Sequence, residues 1–162
     1  MILLTTSKAE SFCRKFSGSG LKLSLAESCT GGMIGCMITS VSGSSSFFMG
    51  SAVTYSNESK MSILGVKESS LAQFGAVSET VAKEMAEGSL KVYGSDIAGS
   101  VTGIAGPGGG TPEKPVGTVW MAVTDGKTTR TYENHFTGSR KEIREMTASV
   151  LLDHIEEFIG SR

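Results

Sequence analysis

Metal-ligand spacings, paired cysteines, one-sided charge and long apolar runs are all missing from this 162-residue chain. Its three cysteines (Cys13, Cys29, Cys36) are odd in number and form no C-x-x-C. That pattern predicts free thiols in a reducing cytoplasm rather than a disulfide framework. No H-E-x-x-H and no EF-hand loop occurs, so metal-independent chemistry is expected, with no metal and no cofactor. The formal net charge is −1, which gives no general reason to expect nucleic acid or an anionic membrane as partner. No apolar run approaches the ~18–20 residues that span a bilayer. The opening "MILLTTSKAE" lacks a basic n-region and a long h-region, so no signal peptide is expected and the predicted location is cytoplasmic. Internal repeats and linkers are also absent, which predicts a single domain over residues 1–162.

Glycine, by contrast, is plentiful at 21 residues and clusters in a few loops. Between those loops, helix and strand signals alternate. "SKAE" (Ser7 to Glu10) reads as a capping box, followed by Ala9, Phe12, Cys13 and Phe16 on one helical face. "LKLSLAES" (21–28) alternates apolar and polar residues as a strand does, and 30–43 reads as a helix. A second strand is expected in 47–56, then a short helix "NESKMSIL" capped by Ser56 or Asn57 and closed by Gly65. Ser78 opens another helix with Val81, Met85 and Leu90 inward, and 96–103 reads as a third strand. A 14-residue glycine/proline loop (104–117) precedes a hairpin around "DGK". "SRKE" (Ser139 to Glu142) is a second capping box, opening a helix with Ile143, Met146, Val150, Leu151, Ile155 and Phe158 inward. The pattern predicts an α/β fold: a three-layer α/β/α sandwich with a mixed, mostly parallel sheet.

Ligands in such sheets bind at the carboxyl ends of strands. Three ends here are rich in hydroxyls or glycine: "ESCTGG", "TYSNESK" and "TGIAGPGGG". Ser28 lies at a strand-to-helix turn, where free backbone N–H groups can hold a developing oxyanion. The plainer reading of Ser28 or Thr30 is a helix N-cap. Cys29 is the rival nucleophile, because a helix N-terminus also activates a thiol. Consecutive residues point apart, however, so a rim-facing Ser28 sends Cys29 to the core. A serine needs a base. Neither histidine lies beside a glycine loop, whereas Lys60 sits in the first turn of the helix after Tyr55. A lysine there is electrostatically disfavoured, so its pKa should fall until it can take a proton. The Tyr55 hydroxyl can bridge that transfer or polarise a substrate. The plainer readings are a solvated lysine and a half-buried strand aromatic. Thr102 and Ser45 are further candidate polar liners, with a turn role as the alternative for Ser45. Arg140 and Arg144 share a helix face next to a helix N-terminus, a ready phosphate or carboxylate site, the plainer reading being two solvated arginines paired with Glu142 or Glu145.

"AESCTGG", "GSSSFFMGSAVTYSNESKMSILGV", "GAVSETVA" and "SVTGIAGPGGGTPEKPVGTVWMAV" together resemble the C-terminal domain of the competence/damage-inducible protein CinA, from about residue 5 to 160. The resemblance implies a mixed five-stranded sheet and homodimers or larger homo-oligomers. It also implies deamidation of nicotinamide mononucleotide to nicotinate mononucleotide and ammonia, as in stand-alone nicotinamide-nucleotide amidohydrolases of the family. The family's catalytic serine matches Ser28, and its tyrosine and lysine match Tyr55 and Lys60. Its polar pocket residues match Ser45 and Thr102, and its basic residue matches Arg140 or Arg144. The substrate-binding set that accompanies this reading is Thr30, Gly31, Gly32, Ser45, Thr102, Gly103, Gly106, Arg140 and Arg144, the partner being a pyridine mononucleotide. The molybdopterin-binding-like N-terminal domain of longer members has no counterpart in these 162 residues. Fold and motif do not fix substrate, so two other functions stay open. One is a non-catalytic nucleotide- or partner-binding module linked to competence or DNA damage, and the other is hydrolysis of a different small amide.

Overall fold

β1 (Leu23–Glu27) is buried along its whole length and organises the rest of the molecule. The computed structural model describes the backbone of residues 2–162 and the side chains from Thr6 onward. β1 pairs in parallel with β2 (Phe48–Val53) on one side and β3 (Ile97–Gly103) on the other. β4 (Thr118–Thr124) runs antiparallel to β3, and β5 (Thr129–His135) antiparallel to β4. The order is β2-β1-β3-β4-β5, a mixed sheet in which β4 alone is reversed.

Helices cover both faces. α1 (Ile2–Ser17), α2 (Met33–Thr39) and α6 (Arg140–Gly160) pack on one side, and α3 (Asn57–Leu64), α4 (Glu68–Phe74) and α5 (Glu79–Tyr93) on the other. The first face holds the larger core, with Phe12, Phe16, Leu25, Ile34, Ile38, Leu151 and Ile155 removed from water. Each such side chain contributes about 1.5–3 kcal/mol of transfer free energy. The result is the α/β/α sandwich that the alternating pattern predicts.

Several local expectations need correction. The "SKAE" box does not open a helix, because α1 begins at Ile2 and Ser7 lies inside it, exposed. Its buried face is nonetheless Ala9, Phe12, Cys13 and Phe16. α2 starts at Met33, later than expected, because Gly31 and Gly32 take φ of 59° and 97° and so break the helical path. The alternation in β1 does not mark a solvated face. Ser24 is buried and hydrogen-bonds Ser89 of α5 and Ser95. In α6, Met146 and Val150 are half-buried, while Ala148 and Leu152 complete the inward stripe. α4 has no counterpart among the predicted elements. α3, by contrast, spans the predicted residues, with Ser56 as N-cap and Gly65 as C-cap. The capping box at Ser139 and Glu142 forms with both reciprocal bonds.

The parallel strands send their carboxyl ends to one rim. Reversal of β4 brings the 104–117 loop back to the same rim, with Ile104 and Gly117 pinned by backbone hydrogen bonds at its base. The β5–α6 connection also delivers Arg140 there.

Candidate active site

Ser28 follows β1 directly, in phase with Ser24 and Ala26, which face the α5 side, and out of phase with Leu23 and Leu25. Its hydroxyl therefore points toward the side from which α3 approaches. α3 leaves the end of β2 after a three-residue turn, capped where Ser56 Oγ accepts from the Ser59 N–H at 3.1 Å. That start places Lys60 under the rim, only 1% exposed. Lys60 Nζ lies 2.9 Å from Ser28 Oγ, 2.8 Å from the Thr54 carbonyl and 3.3 Å from the Tyr55 carbonyl.

Those three neighbours decide what the amine can do. The two carbonyls can only accept. If the amine is neutral, its two N–H groups satisfy the carbonyls, and the lone pair faces the one neighbour able to donate, Ser28. Burial holds the Lys60 pKa below the ordinary lysine value, and among the described residues Lys60 has no ion-pair partner to offset it. Cys29 is placed differently. It is buried in the main core, and burial pushes its thiol up to about 11 despite the nearby Arg144 and Lys60. A thiol held protonated is a poor nucleophile.

Around the pair lies a pocket of about 200 Å³. Tyr55, Asn57 and Lys60 form one wall, Ala76 and Val77 a second, and Thr102, Gly103 and Ala105 a third, with Arg140 at the mouth. Thr102 Oγ1 donates to the Ala76 carbonyl at 2.9 Å and so ties two of these walls together. Gly103 is required at its position, because a Cβ would sit 2.6 Å from Val119 Cγ2 and 2.9 Å from the Thr118 carbonyl. A larger groove of about 870 Å³ lies between α3 and α5, but none of its hydroxyls is paired with a buried base.

The arginines divide. Arg140 donates to the Gly106 carbonyl at 2.8 Å and to the Tyr55 hydroxyl at 3.3 Å, at the pocket mouth. Arg144 donates from Nε to the Cys29 carbonyl at 3.0 Å and from Nη2 to the Thr30 carbonyl at 2.8 Å. It braces the turn after Ser28 and does not line the pocket. Tyr55 is 64% exposed, and its hydroxyl reaches Arg140 rather than Ser28 or Lys60. The bridging position expected for that hydroxyl is therefore not the one it takes.

Other expected residues are deployed elsewhere. Thr30 is fully buried, and its hydroxyl donates to Glu27 Oε2 at 2.7 Å. The Gly31 N–H donates to the Ser28 carbonyl, and the Gly32 N–H to Glu27. The Cys29 N–H, next to Ser28, makes no backbone–backbone hydrogen bond among the described residues. From the 104–117 loop, Ala105 lines the pocket and Gly106 contributes through its carbonyl, while residues 107–117 stay outside the lining. Ser45 is exposed in the Ser44–Ser46 turn before β2, at the opposite end of the sheet.

Glu27 is the residue that sequence reasoning passed over. It is fully buried, and its carboxylate accepts five hydrogen bonds. Oε2 takes the Thr30 hydroxyl and the Gly32 and Ile34 N–H groups, and Oε1 takes the Gly35 N–H and the Ser51 hydroxyl. It thus fills the start of α2 and links it to β2. The available signal was an acid at the end of an otherwise apolar strand, next to the serine. Asn57, Ala76 and Val77 were also missed as pocket liners.

Taken together, fold and site define an α/β domain with a buried lysine set against a serine at the carboxyl rim of its sheet. The chain belongs to the CinA C-terminal domain family, whose model matches residues 5–159. It is 57% identical over 131 residues to a CinA-like protein of Endomicrobium trichonymphae, covering 81% of this chain and 31% of that protein. A CinA-like protein of Syntrophomonas wolfei is 52% identical over 137 residues, covering 85% and 33%. The chain thus spans about a third of the length of these curated relatives. Among solved structures, the competence/damage-inducible protein CihA of Agrobacterium tumefaciens aligns with a TM-score of 0.89 at 40% identity, covering 93% of each chain. A CinA superfamily protein of Klebsiella pneumoniae aligns at 0.94 and 32% identity, covering 98% of this chain and 99% of that one. No helix among the described residues is long and apolar enough to cross a membrane.

Proposed function

We propose that the chain is a serine amidase that hydrolyses the carboxamide of nicotinamide mononucleotide, releasing ammonia and nicotinate mononucleotide. The observation that carries this reading is the 2.9 Å contact between Lys60 Nζ and Ser28 Oγ, with two carbonyls as the amine's other hydrogen-bond partners among the described residues.

Neutral Lys60 accepts the Ser28 proton as Oγ attacks the carboxamide carbon, and an oxyanion forms. The Cys29 N–H, committed to no backbone carbonyl among the described residues, supports its role as donor to that oxyanion. Protonated Lys60 then gives its proton to the amide nitrogen, the C–N bond breaks and ammonia leaves. Water, deprotonated by neutral Lys60, attacks the acyl-serine, and Ser28 regains its proton. Arg140 keeps donors free at the mouth for the substrate phosphate. The exposed Tyr55 ring offers a face to the cationic pyridinium. No step calls on a metal or cofactor.

The test is ammonia release from nicotinamide mononucleotide by the chain and by its Ser28→Ala variant. Turnover lost with Ser28→Ala supports the mechanism, and full activity in that variant overturns it. Tight binding of the nucleotide without turnover selects the binding-module reading. Faster turnover of another carboxamide reassigns the substrate.

A further inference from the structure

Most polar side chains that line the pocket are already engaged. Ser28 Oγ is paired with Lys60 Nζ, the Tyr55 hydroxyl accepts from Arg140, the Thr102 hydroxyl donates to the Ala76 carbonyl, and Arg140 also holds the Gly106 carbonyl. Asn57 lines the same pocket, and its side-chain amide makes no hydrogen bond among the described residues. It has an acceptor oxygen and two N–H donors to offer. The local fold does not call on that amide. Ser56, not Asn57, caps α3, and Asn57 is exposed.

Lys60 defines where that amide sits. Residues three apart on a helix share a face, so Asn57 lies one turn from Lys60, toward the start of α3. Helical side chains lean toward the same end. Lys60 does so, and its Nζ reaches back to the Thr54 and Tyr55 carbonyls, three and two residues before Asn57. The amine and the Asn57 amide thus occupy adjoining places on one wall of the pocket.

We infer, resting on the amidase reading, that Asn57 recognises the leaving NH2 group and so sets a preference for primary carboxamides. Lys60 gives its proton to the leaving nitrogen, so that nitrogen has to face the α3 wall, where Asn57 is the next polar group. Asn57 Oδ1 accepts one N–H of the carboxamide. When Ser28 Oγ adds to the carbonyl carbon, the nitrogen loses its conjugation and becomes free to rotate with its lone pair. The hydrogen bond to Asn57 stops that rotation with the lone pair aimed at Lys60 Nζ. The proton passes from Nζ to nitrogen, the C–N bond breaks and ammonia leaves. An ester presents no N–H at this place, so Asn57 gives it no advantage.

The experiment compares hydrolysis of nicotinamide mononucleotide with hydrolysis of the methyl ester of nicotinate mononucleotide. Both are offered to the parent chain, Asn57→Ala and Asn57→Asp, with circular dichroism to check folding. Asn57→Ala should lower kcat/KM for the amide about tenfold, the loss of one hydrogen bond, and leave the ester unchanged. Asn57→Asp keeps an acceptor oxygen and should preserve the parent ratio of amide to ester turnover. Its negative charge beside Lys60 favours the protonated amine, so its kcat/KM plateau should move to higher pH. An equal loss on both substrates in Asn57→Ala, or no loss on either, overturns the inference. So does an amide-to-ester ratio in Asn57→Asp that falls to that of Asn57→Ala. Absence of amide turnover in the parent chain overturns the amidase reading itself, and the inference falls with it.

Discussion

Glu27 and Lys60 flank Ser28, and both are buried, yet their surroundings differ in kind. Glu27 meets five hydrogen-bond donors and no base. Lys60 meets two carbonyls, one hydroxyl and no acid. The first arrangement locks α2 and the turn after β1 in place, as a fully satisfied buried polar network does. The second holds an amine whose charged form is disfavoured and whose free electron pair has one outlet. Position is built on one side of the serine and reactivity on the other.

Ser28→Ala removes what both sides serve. Ammonia release from nicotinamide mononucleotide should fall by about 10³-fold or more, with melting temperature little changed. Lys60→Met breaks the reactive side alone. Activity should drop by about 10²–10⁴-fold, while stability in urea holds or rises, since a buried amine gives way to a thioether of similar length. In the parent protein kcat/KM should climb with pH to a plateau set by the depressed Lys60 pKa. Stability should follow the same sign. Folded Lys60 releases its proton more readily than unfolded lysine, so stability grows as pH rises between the folded and unfolded values and is lost as pH falls through that window. Lys60→Met should erase that slope.

Glu27→Gln breaks the positional side. It should cost about 3 kcal/mol in urea unfolding, because a carboxylate with several donors is replaced by a group with one acceptor oxygen. Loss of kcat should accompany it, with KM little changed. The arginines repeat the contrast on a smaller scale. Arg144→Ala frees two carbonyls of the turn after Ser28 and should cost about 1–2 kcal/mol of stability, together with some kcat. Arg140→Ala should raise KM about tenfold with stability unchanged, the loss of one charge-assisted contact to phosphate. Cys29→Ala should cost only about 1 kcal/mol and leave activity within a few-fold. Iodoacetamide should label the exposed Cys36 before Cys29.

Much of the reactive side is legible in the sequence because its signals are local. Ser56, Lys60 and Gly65 lie in one short helix whose caps read directly, and strand-to-helix turns announce Ser28. The positional side is not local. Glu27 gains its meaning from donors on a turn, a helix and a neighbouring strand, and a single acid in a strand does not encode those partners. Arg140 and Arg144 share a helix face in the sequence, and only the packing of α6 against the rim separates mouth from turn. Tyr55 reads as a strand-end aromatic near Lys60, but its hydroxyl is drawn away by an arginine 85 positions later. α4, seven residues long, is too short for periodicity to show.

The reversed strand β4 carries a consequence of its own. Because it turns back along β3, the 104–117 loop leaves and re-enters the sheet at the same rim, clasped at its base by Ile104 and Gly117. Neither Ser28 nor Lys60 depends on the length of what lies between. The loop is an exchangeable module: insertions or deletions there can reshape what reaches the pocket while Ser28 and Lys60 stay fixed. Laboratory changes meant to alter access to the pocket have their least costly path in that segment.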